Sequence, residues 1–130
     1  MNAVLLDTHA VHWWSAEPDR IGKAARRALK TADELLICAA SWYELAWLAE
    51  QRRIAIDVPI RSWLEELGGQ LRTLGITPAI ADSAVGLPSS FPRDPTDRLI
   101  YATAIEHGVK LATKDRAITA HDGDRSLVVW

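Results

Sequence analysis

Apolar residues gather along this chain in short unbroken runs that alternate with longer stretches of helical spacing. Residues 3–6 read AVLL and are closed by Asp7, and four consecutive apolar residues with an acid behind them predict a strand buried on both faces. Between Pro18 and Ala32, the residues Ile21, Ala24, Ala25, Ala28 and Leu29 fall on one helical face, with Arg20, Lys23, Arg27 and Lys30 opposite. ELLICAAS (34–41) repeats the first pattern and leads into SWYELAWLAEQRR (41–53), which predicts strand two entering a helix. IAIDVP (54–59) is short and extended, and IRSWLEELGGQLRTLG (60–75) predicts one or two helical segments broken near Gly68-Gly69. ITPAI (76–80) predicts a third strand, followed by a short helix in ADSAVGLP (81–88) and a proline-bearing loop, PSSFPRDP (88–95). A helix from about Thr96 to His107 stops at Gly108, because glycine tolerates positive φ. VKLAT (109–113) predicts strand four, KDRAITAH (114–121) a turn or short helix, and SLVVW (126–130) a closing strand. Strands that alternate with helices from end to end predict an α/β fold, a parallel sheet covered by helices on both faces.

Composition narrows the class. At 130 residues, 48% of them apolar and 25% charged, the chain is expected to be one soluble domain spanning 1–130 with a real core. No apolar run reaches the roughly 18 residues of a membrane span, and the start MNAVLLDTHAVHWW carries no basic leader, so the expectation is a cytoplasmic protein without membrane contact. Cys38 stands alone, which excludes an intrachain disulfide and a cysteine-based zinc site. The net charge of −2 argues against a strongly basic nucleic-acid clamp. Six tryptophans are more than one small core readily holds, so some are expected to face a partner.

In an open parallel α/β sheet the strand-to-helix loops converge beyond the carboxyl ends of the strands, and sites form there. Asp7 ends strand one, Glu44 lies three residues beyond Ser41 in the helix after strand two, and Asp115 follows strand four by two residues. Asp97, in the first turn of the helix before strand four, reaches the same edge if that helix starts there. Each acid also has an ordinary reading. Ser41-x-x-Glu44 is a capping box as written, Asp97 sits near a helix start opened by Asp94 and Pro95, and Asp115 could cap the turn behind it. Asp7 has fewer structural excuses, since it closes a strand buried on both faces. Together the four say more. Two carboxylates 5 Å apart repel by about 3 kcal/mol at an effective dielectric of 20, so a shared pocket calls either for protonation of some of them, through raised pKa values, or for a divalent cation, which leaves them ionised. All-oxygen ligands without cysteine point to a hard ion, Mg²⁺ or Mn²⁺. His9 and His12, at i and i+3, are expected to play polar or packing roles, because neither an H-E-x-x-H motif nor a cysteine partner accompanies them.

Asp7-Thr8-His9, Glu44 behind a strand, Asp94-Pro95-x-Asp97-Arg98 opening a helix, and Thr113-Lys114-Asp115 behind the next strand together resemble the PIN domain, and in particular the VapC toxins of type II toxin–antitoxin pairs. The likeness spans the chain and implies a PIN-like (Rossmann-like) α/β fold. It implies a Mg²⁺-dependent ribonuclease whose acidic metal site is Asp7, Glu44, Asp97 and Asp115, with Thr8 and Thr113 as supporting hydroxyls and Asp94 ordering its helix start. The products would carry a 5′-phosphate and a 3′-hydroxyl. His9 departs from the family pattern, which often has asparagine after the Asp-Thr pair. Because the acids repel RNA, Arg98, Lys114 and Arg116 beside them are candidates to hold its backbone, and the Arg20–Lys30 stripe could extend that track. A VapB-type antitoxin is the implied partner, lying in an apolar groove between helices. Trp42, Trp47 and Trp63 are the candidates for that groove or for a homodimer surface.

Two other readings use the same features. A catalytically inactive PIN-like module would keep the acids only as caps. A receiver-like signalling domain would need an acid pair after strand one and an acceptor aspartate after the central strand, where this chain has Asp7 alone and CAAS.

Overall fold

The short apolar runs form the sheet because every second residue in them finds a different core. In the computed structural model, which describes residues 2–130, β1 (Ala3–Leu6), β2 (Glu34–Cys38), β3 (Arg72–Leu74), β4 (Lys110–Ala112) and β5 (Val128–Val129) make one sheet in the order β3-β2-β1-β4-β5. All neighbouring strands are parallel, with Leu5 opposite Leu36 on one side and Leu111 on the other. Val4, Leu6, Ile37 and Ala112 face one apolar cluster, while Leu5, Leu36, Cys38 and Leu111 face a second. This is the period of two expressed on both sides of a buried sheet.

The first cluster is closed by α1 (Thr8–Ala16), α2 (Lys23–Thr31), α3 (Ala39–Glu50) and α4 (Ile60–Gly68), through residues such as Val11, Ala25, Leu45 and Leu67. The second is closed by α6 (Pro95–His107) and α7 (Arg116–Asp122), through Ile100, Tyr101, Ala104 and Ile118. The remaining helix, α5 (Pro78–Val85), packs on the outer side of α6, where Ile80 and Ala84 meet Ala102. Sandwiched in this way, α6 is buried continuously from Ile100 to Ala104.

Several elements differ from the sequence expectation. The third strand is Arg72–Leu74 and not ITPAI. Thr77 accepts the Ile80 amide at 3.2 Å and Pro78 occupies the first turn, so ITPAI opens α5. The edge strand was hidden because Arg72 and Thr73 are exposed and only Leu74 is buried, a polar pattern that resembles the tail of a helix. Residues 8–16, unassigned from sequence, form α1, and the expected Pro18–Ala32 helix divides into a 3-10 turn at Pro18–Arg20 and α2. As expected, α6 ends at Gly108, which holds φ 63°.

Strand order reverses beside β1: β2 and β3 extend to one side, β4 and β5 to the other. The crevice beyond the carboxyl ends of β1 and β4 is therefore the topological switch point, where open α/β sheets place their sites. Among the described residues, no helix is long and apolar enough to cross a membrane.

Candidate active site

Asp7 follows β1 and Asp115 follows β4, so the switch point receives both directly. Because α6 runs back across the sheet to feed a parallel β4, its N-terminus must begin at the carboxyl edge, and this delivers Asp94 and Asp97. Glu44 comes from α3, behind β2. These elements enclose a cavity of about 430 Å³ lined by Asp7, Thr8, Glu44, Asp94, Asp97 and Asp115, with His9, Trp13 and Lys114 completing its wall.

The ordinary and functional readings of the acids turn out to coexist. Asp7 caps α1, its Oδ1 accepting the Ala10 amide at 2.8 Å, and Asp115 caps α7 by accepting the Ile118 amide at 2.9 Å. Asp94 caps α6, with Oδ1 accepting from Thr96 at 2.7 Å and from Asp97 at 3.4 Å. The capping box at Ser41 does not form. Helix α3 starts at Ala39, with Cys38 as N-cap and no side-chain cap, which puts Ser41 inside the helix. Ser41 is fully buried and its Oγ accepts the Thr8 hydroxyl at 3.2 Å, so Glu44 is left to line the cavity. Thr113, also buried, accepts the Asp115 amide at 3.1 Å and so fixes the turn into α7.

Crowding shows in the electrostatics. Burial raises the Asp97 pKa from 3.8 to about 7, helped by the charges of Asp94, Asp115, Glu44 and Asp7. Asp7 is also raised, first by burial, while hydrogen bonds from Thr113 and Ala10 pull it back. In its chemistry the donor set fits a hard divalent cation: carboxylate oxygens predominate, and Cys38, the one thiol, is buried elsewhere in the core. The carboxylates are not drawn into a tight cluster; among the described residues no three His, Cys, Asp or Glu side chains are gathered closely enough to grip an ion as they stand. Asp7 and Asp115 each keep a second oxygen beyond the one that caps their helix.

The flanking cations divide. Lys114 is exposed on the cavity wall, its Nζ 5.7 Å above the Trp13 ring. Arg116 is exposed but does not line the cavity. Arg98 corrects the sequence expectation outright, because its guanidinium donates inward to backbone. Nε reaches the Pro92 carbonyl at 3.0 Å, Nη1 those of Ala84 and Leu87 at 3.2 and 3.1 Å, and Nη2 those of Pro88 and Phe91 at 3.0 and 3.4 Å. It ties the loop before α6 to the end of α5 and has no donor left over for RNA. On α2, Lys23, Arg27 and Lys30 surround a separate cavity of about 680 Å³.

The tryptophans also divide. Trp42 is half-buried and its Nε1 donates to Thr73 at 2.9 Å, so it packs α3 onto the edge strand. Trp63 is half-buried beside a cavity of about 470 Å³ between α1 and α4, whereas Trp47 is 43% exposed. Trp13 and Ser41 are the site residues that sequence reasoning missed. Trp13 lies at i+4 from His9 on a helix capped by Asp7, a spacing that shares one face with the acids; the Thr8–Ser41 contact leaves no sequence signal.

A family model described as the PIN domain matches residues 4–123 of the chain. The chain is 58% identical over 130 residues to Ribonuclease VapC22 of Mycobacterium tuberculosis, covering 100% of both. Among solved structures it is similar to a toxin–antitoxin complex from Klebsiella pneumoniae, at TM-score 0.68 and 22% identity over 98% of this chain and 96% of that one. It is likewise similar to VapBC2 from Rickettsia felis bound to a promoter DNA fragment, at TM-score 0.66 and 13% identity over 91% and 92%.

Proposed function

The chain belongs to the PIN-domain family, and from that premise we propose that it is the ribonuclease toxin of a VapBC-type toxin–antitoxin pair, hydrolysing RNA phosphodiester bonds with Mg²⁺ or Mn²⁺ at the switch-point cavity. The likeness over the full length to Ribonuclease VapC22 supports the activity. The observation that carries the site is the meeting of Asp7, Glu44, Asp97 and Asp115, far apart in sequence, around one cavity of about 430 Å³. An inactive module that kept its acids only as caps is disfavoured, because Glu44 caps nothing and still faces the cavity.

In this reading Glu44, Asp97 and the second oxygens of Asp7 and Asp115 hold the cation. When bound, such an ion neutralises the scissile phosphate and supplies a water of lowered pKa for in-line displacement. The chain's own residues do the rest. The buried pair Thr8–Ser41 and the part-buried bond from the Asp115 amide to Thr113 fix the helix starts that present the acids. Lys114 brings positive charge to a phosphate on the cavity wall. The amino ends of α1, α6 and α7 direct their positive dipole ends toward the same space, where an anionic backbone is stabilised. A VapB-type antitoxin restrains the activity, the protein acts in the cytoplasm as one PIN domain, and a homodimer is the expected assembly.

Purified full chain should cleave RNA in Mg²⁺ and not in EDTA. Asp7→Asn and Asp97→Asn should each abolish cleavage while remaining folded by circular dichroism, and Asp7→Asn should lose the thermal shift that Mg²⁺ gives the wild type. Undiminished cleavage by Asp97→Asn would overturn the assignment.

A further inference from the structure

β5 and Trp130 behind it are tied to the wall of the acid cavity from two directions. The Val129 carbonyl accepts the Thr113 amide at 3.4 Å, which holds the backbone immediately before Lys114. Trp130 then reaches two helices. It lies so close to Gly22, the N-cap of α2, that a methyl there would stand 2.6 Å from its carbonyl carbon and its ring. Its ring also meets that of Trp13 on α1, with centroids 5.8 Å apart and planes at 61°. The edge of one indole is thereby set against the face of the other, a favoured arrangement for an aromatic pair. Trp13 in turn lines the cavity, and its ring centroid lies 5.7 Å from Lys114 Nζ and 4.7 Å from the Arg20 guanidinium. Arg20 shares its charge with Glu17 at 3.9 Å, but among the described residues Lys114 has no acid within salt-bridge distance, which leaves the Trp13 ring as the partner of its ammonium.

We propose that Trp130 is a positioning residue of the ribonuclease: it braces the Trp13 ring, and the ring holds the Lys114 ammonium at the cavity wall, where a phosphate arrives. The inference rests on the ribonuclease reading and adds to it a residue that touches neither ion nor substrate. Lys114 is exposed, and a lysine head on a four-carbon stem has no fixed place of its own. The electron-rich face of an indole attracts it, provided that the indole stays where it is. Trp13 is only half-buried, and the space into which its ring could turn is filled by Trp130, wedged in its turn against Gly22. An ammonium already in place needs no ordering when the phosphate binds. Loss of the brace should therefore weaken substrate capture and leave the chemical step, which belongs to the acids, as it was. If Trp130 only packed the fold, its loss would lower kcat through the unfolded fraction and leave KM alone.

The test measures initial rates of the full chain on an RNA oligonucleotide in Mg²⁺. Trp130→Ala should raise KM about three- to tenfold with kcat within about twofold of wild type, and Trp130→Phe, which keeps a ring, should restore most of the loss. Lys114→Ala should raise KM by at least as much, and Trp130→Ala added to it should change nothing further, because the brace then has nothing to hold. A second signature needs no turnover. The ring current of Trp13 should shift the Lys114 ε-methylene protons upfield in the NMR spectrum of the wild type, the signal being identified by its loss in Lys114→Arg, and Trp130→Ala should return it toward the ordinary lysine position. Thermal melts establish that the variants fold, and Trp130→Leu, which keeps apolar volume without a ring, takes the place of an alanine variant that does not. An unchanged KM, a further rise of the same size in the Lys114→Ala background, or an ε-methylene signal indifferent to Trp130 would overturn the proposal. The two levels separate cleanly. A wild type that cuts no RNA removes the ribonuclease, whereas the ε-methylene shift still decides whether Trp130 holds Lys114 in place.

Discussion

Replacing Asp97 by asparagine should stabilise the protein in the absence of metal, although it removes a residue assigned to the site. Burial and four neighbouring carboxylates hold Asp97 at about 7, against an ordinary 3.8. Between those values the unfolded chain gives up the proton and the folded one keeps it. The unfolded state is therefore favoured progressively as pH rises from about 4 to about 7, and above that the whole penalty is present. In a dry site the difference would amount to about 4 kcal/mol. Water reaches a large part of this half-buried side chain, and screening reduces the figure to about 1–2 kcal/mol. Asparagine keeps the shape and carries no charge. In EDTA at pH 7.5, Asp97→Asn should melt higher than wild type by about 3–10 °C. At pH 4.5, where the wild-type carboxyl is already protonated in the folded state, the gap should shrink to a degree or so. Adding Mg²⁺ at pH 7.5 should reverse the order, since linkage stabilises only the protein that binds the ion well. Scanning fluorimetry at the two pH values, with and without metal, reads all of this. A variant no more stable than wild type at pH 7.5 in EDTA, or equally stabilised at both pH values, would refute the argument that burial, with the neighbouring carboxylates, holds Asp97 up to about 7.

Arg98→Ala should lower the unfolding free energy by about 2–4 kcal/mol in urea denaturation, because five carbonyls lose a charged donor, and Arg98→Lys should recover less than half; a loss below about 0.5 kcal/mol would show that water replaces it. Tyr101→Phe should cost about 1–3 kcal/mol, since the phenol donates at 2.8 Å to Asp122, only 5% exposed, whose other oxygen holds the Val128 amide of β5. Gly22→Ala should destabilise by about 1–3 kcal/mol, because the added methyl would stand 2.6 Å from the Trp130 carbonyl carbon and ring. An unchanged melting temperature there would mean that Trp130 swings aside freely.

How much of this was legible in sequence depended on whether a signal was carried by neighbours along the chain. β1, β2 and β4 are read directly, because a central strand of a parallel sheet must be apolar on both faces and so appears as an unbroken run. Asp7 and Asp115 follow from them, and with the strand direction they fix the edge of the site. β3 did not show itself, since an edge strand with Arg72 and Thr73 in solvent carries no such run. α1 lacked a clear polar face: Val11 is buried while His12, Trp13 and Trp14 are half-buried, shared among the core, the site and the carboxy-terminal strand. Arg98 was misplaced for a different reason. Its partners are main-chain carbonyls, and no residue type along the chain announces an unsatisfied carbonyl.

The same topology that brings the acids together also makes their charge tolerable. In a parallel sheet each helix runs antiparallel to its strand, so its amino end must return to the carboxyl edge. Here α1, α6 and α7 all start at the cavity, and each is capped by an aspartate that lines it: Asp7, Asp94 and Asp115. Each cap holds one carboxylate oxygen against amides at the positive end of a dipole, an arrangement that offsets part of the repulsion from its neighbours. Glu44 and Asp97 hold no amide in this way; Glu44 lies in the second turn of its helix, and Asp97, although in the first turn of α6, is raised to about 7, first by burial. Capping thus divides the acids into two kinds. Asp7, Asp94 and Asp115 are held by the helices they cap, whereas Glu44 and Asp97 cap nothing and line the cavity; burial raises Asp7 and Asp97 alike. Removing the cap, as in Asp7→Ala or Asp115→Ala, should therefore lower stability along with activity, whereas Asp7→Asn keeps a capping oxygen and loses activity alone; loss of Asp97 should separate the two, with activity falling as metal-free stability rises.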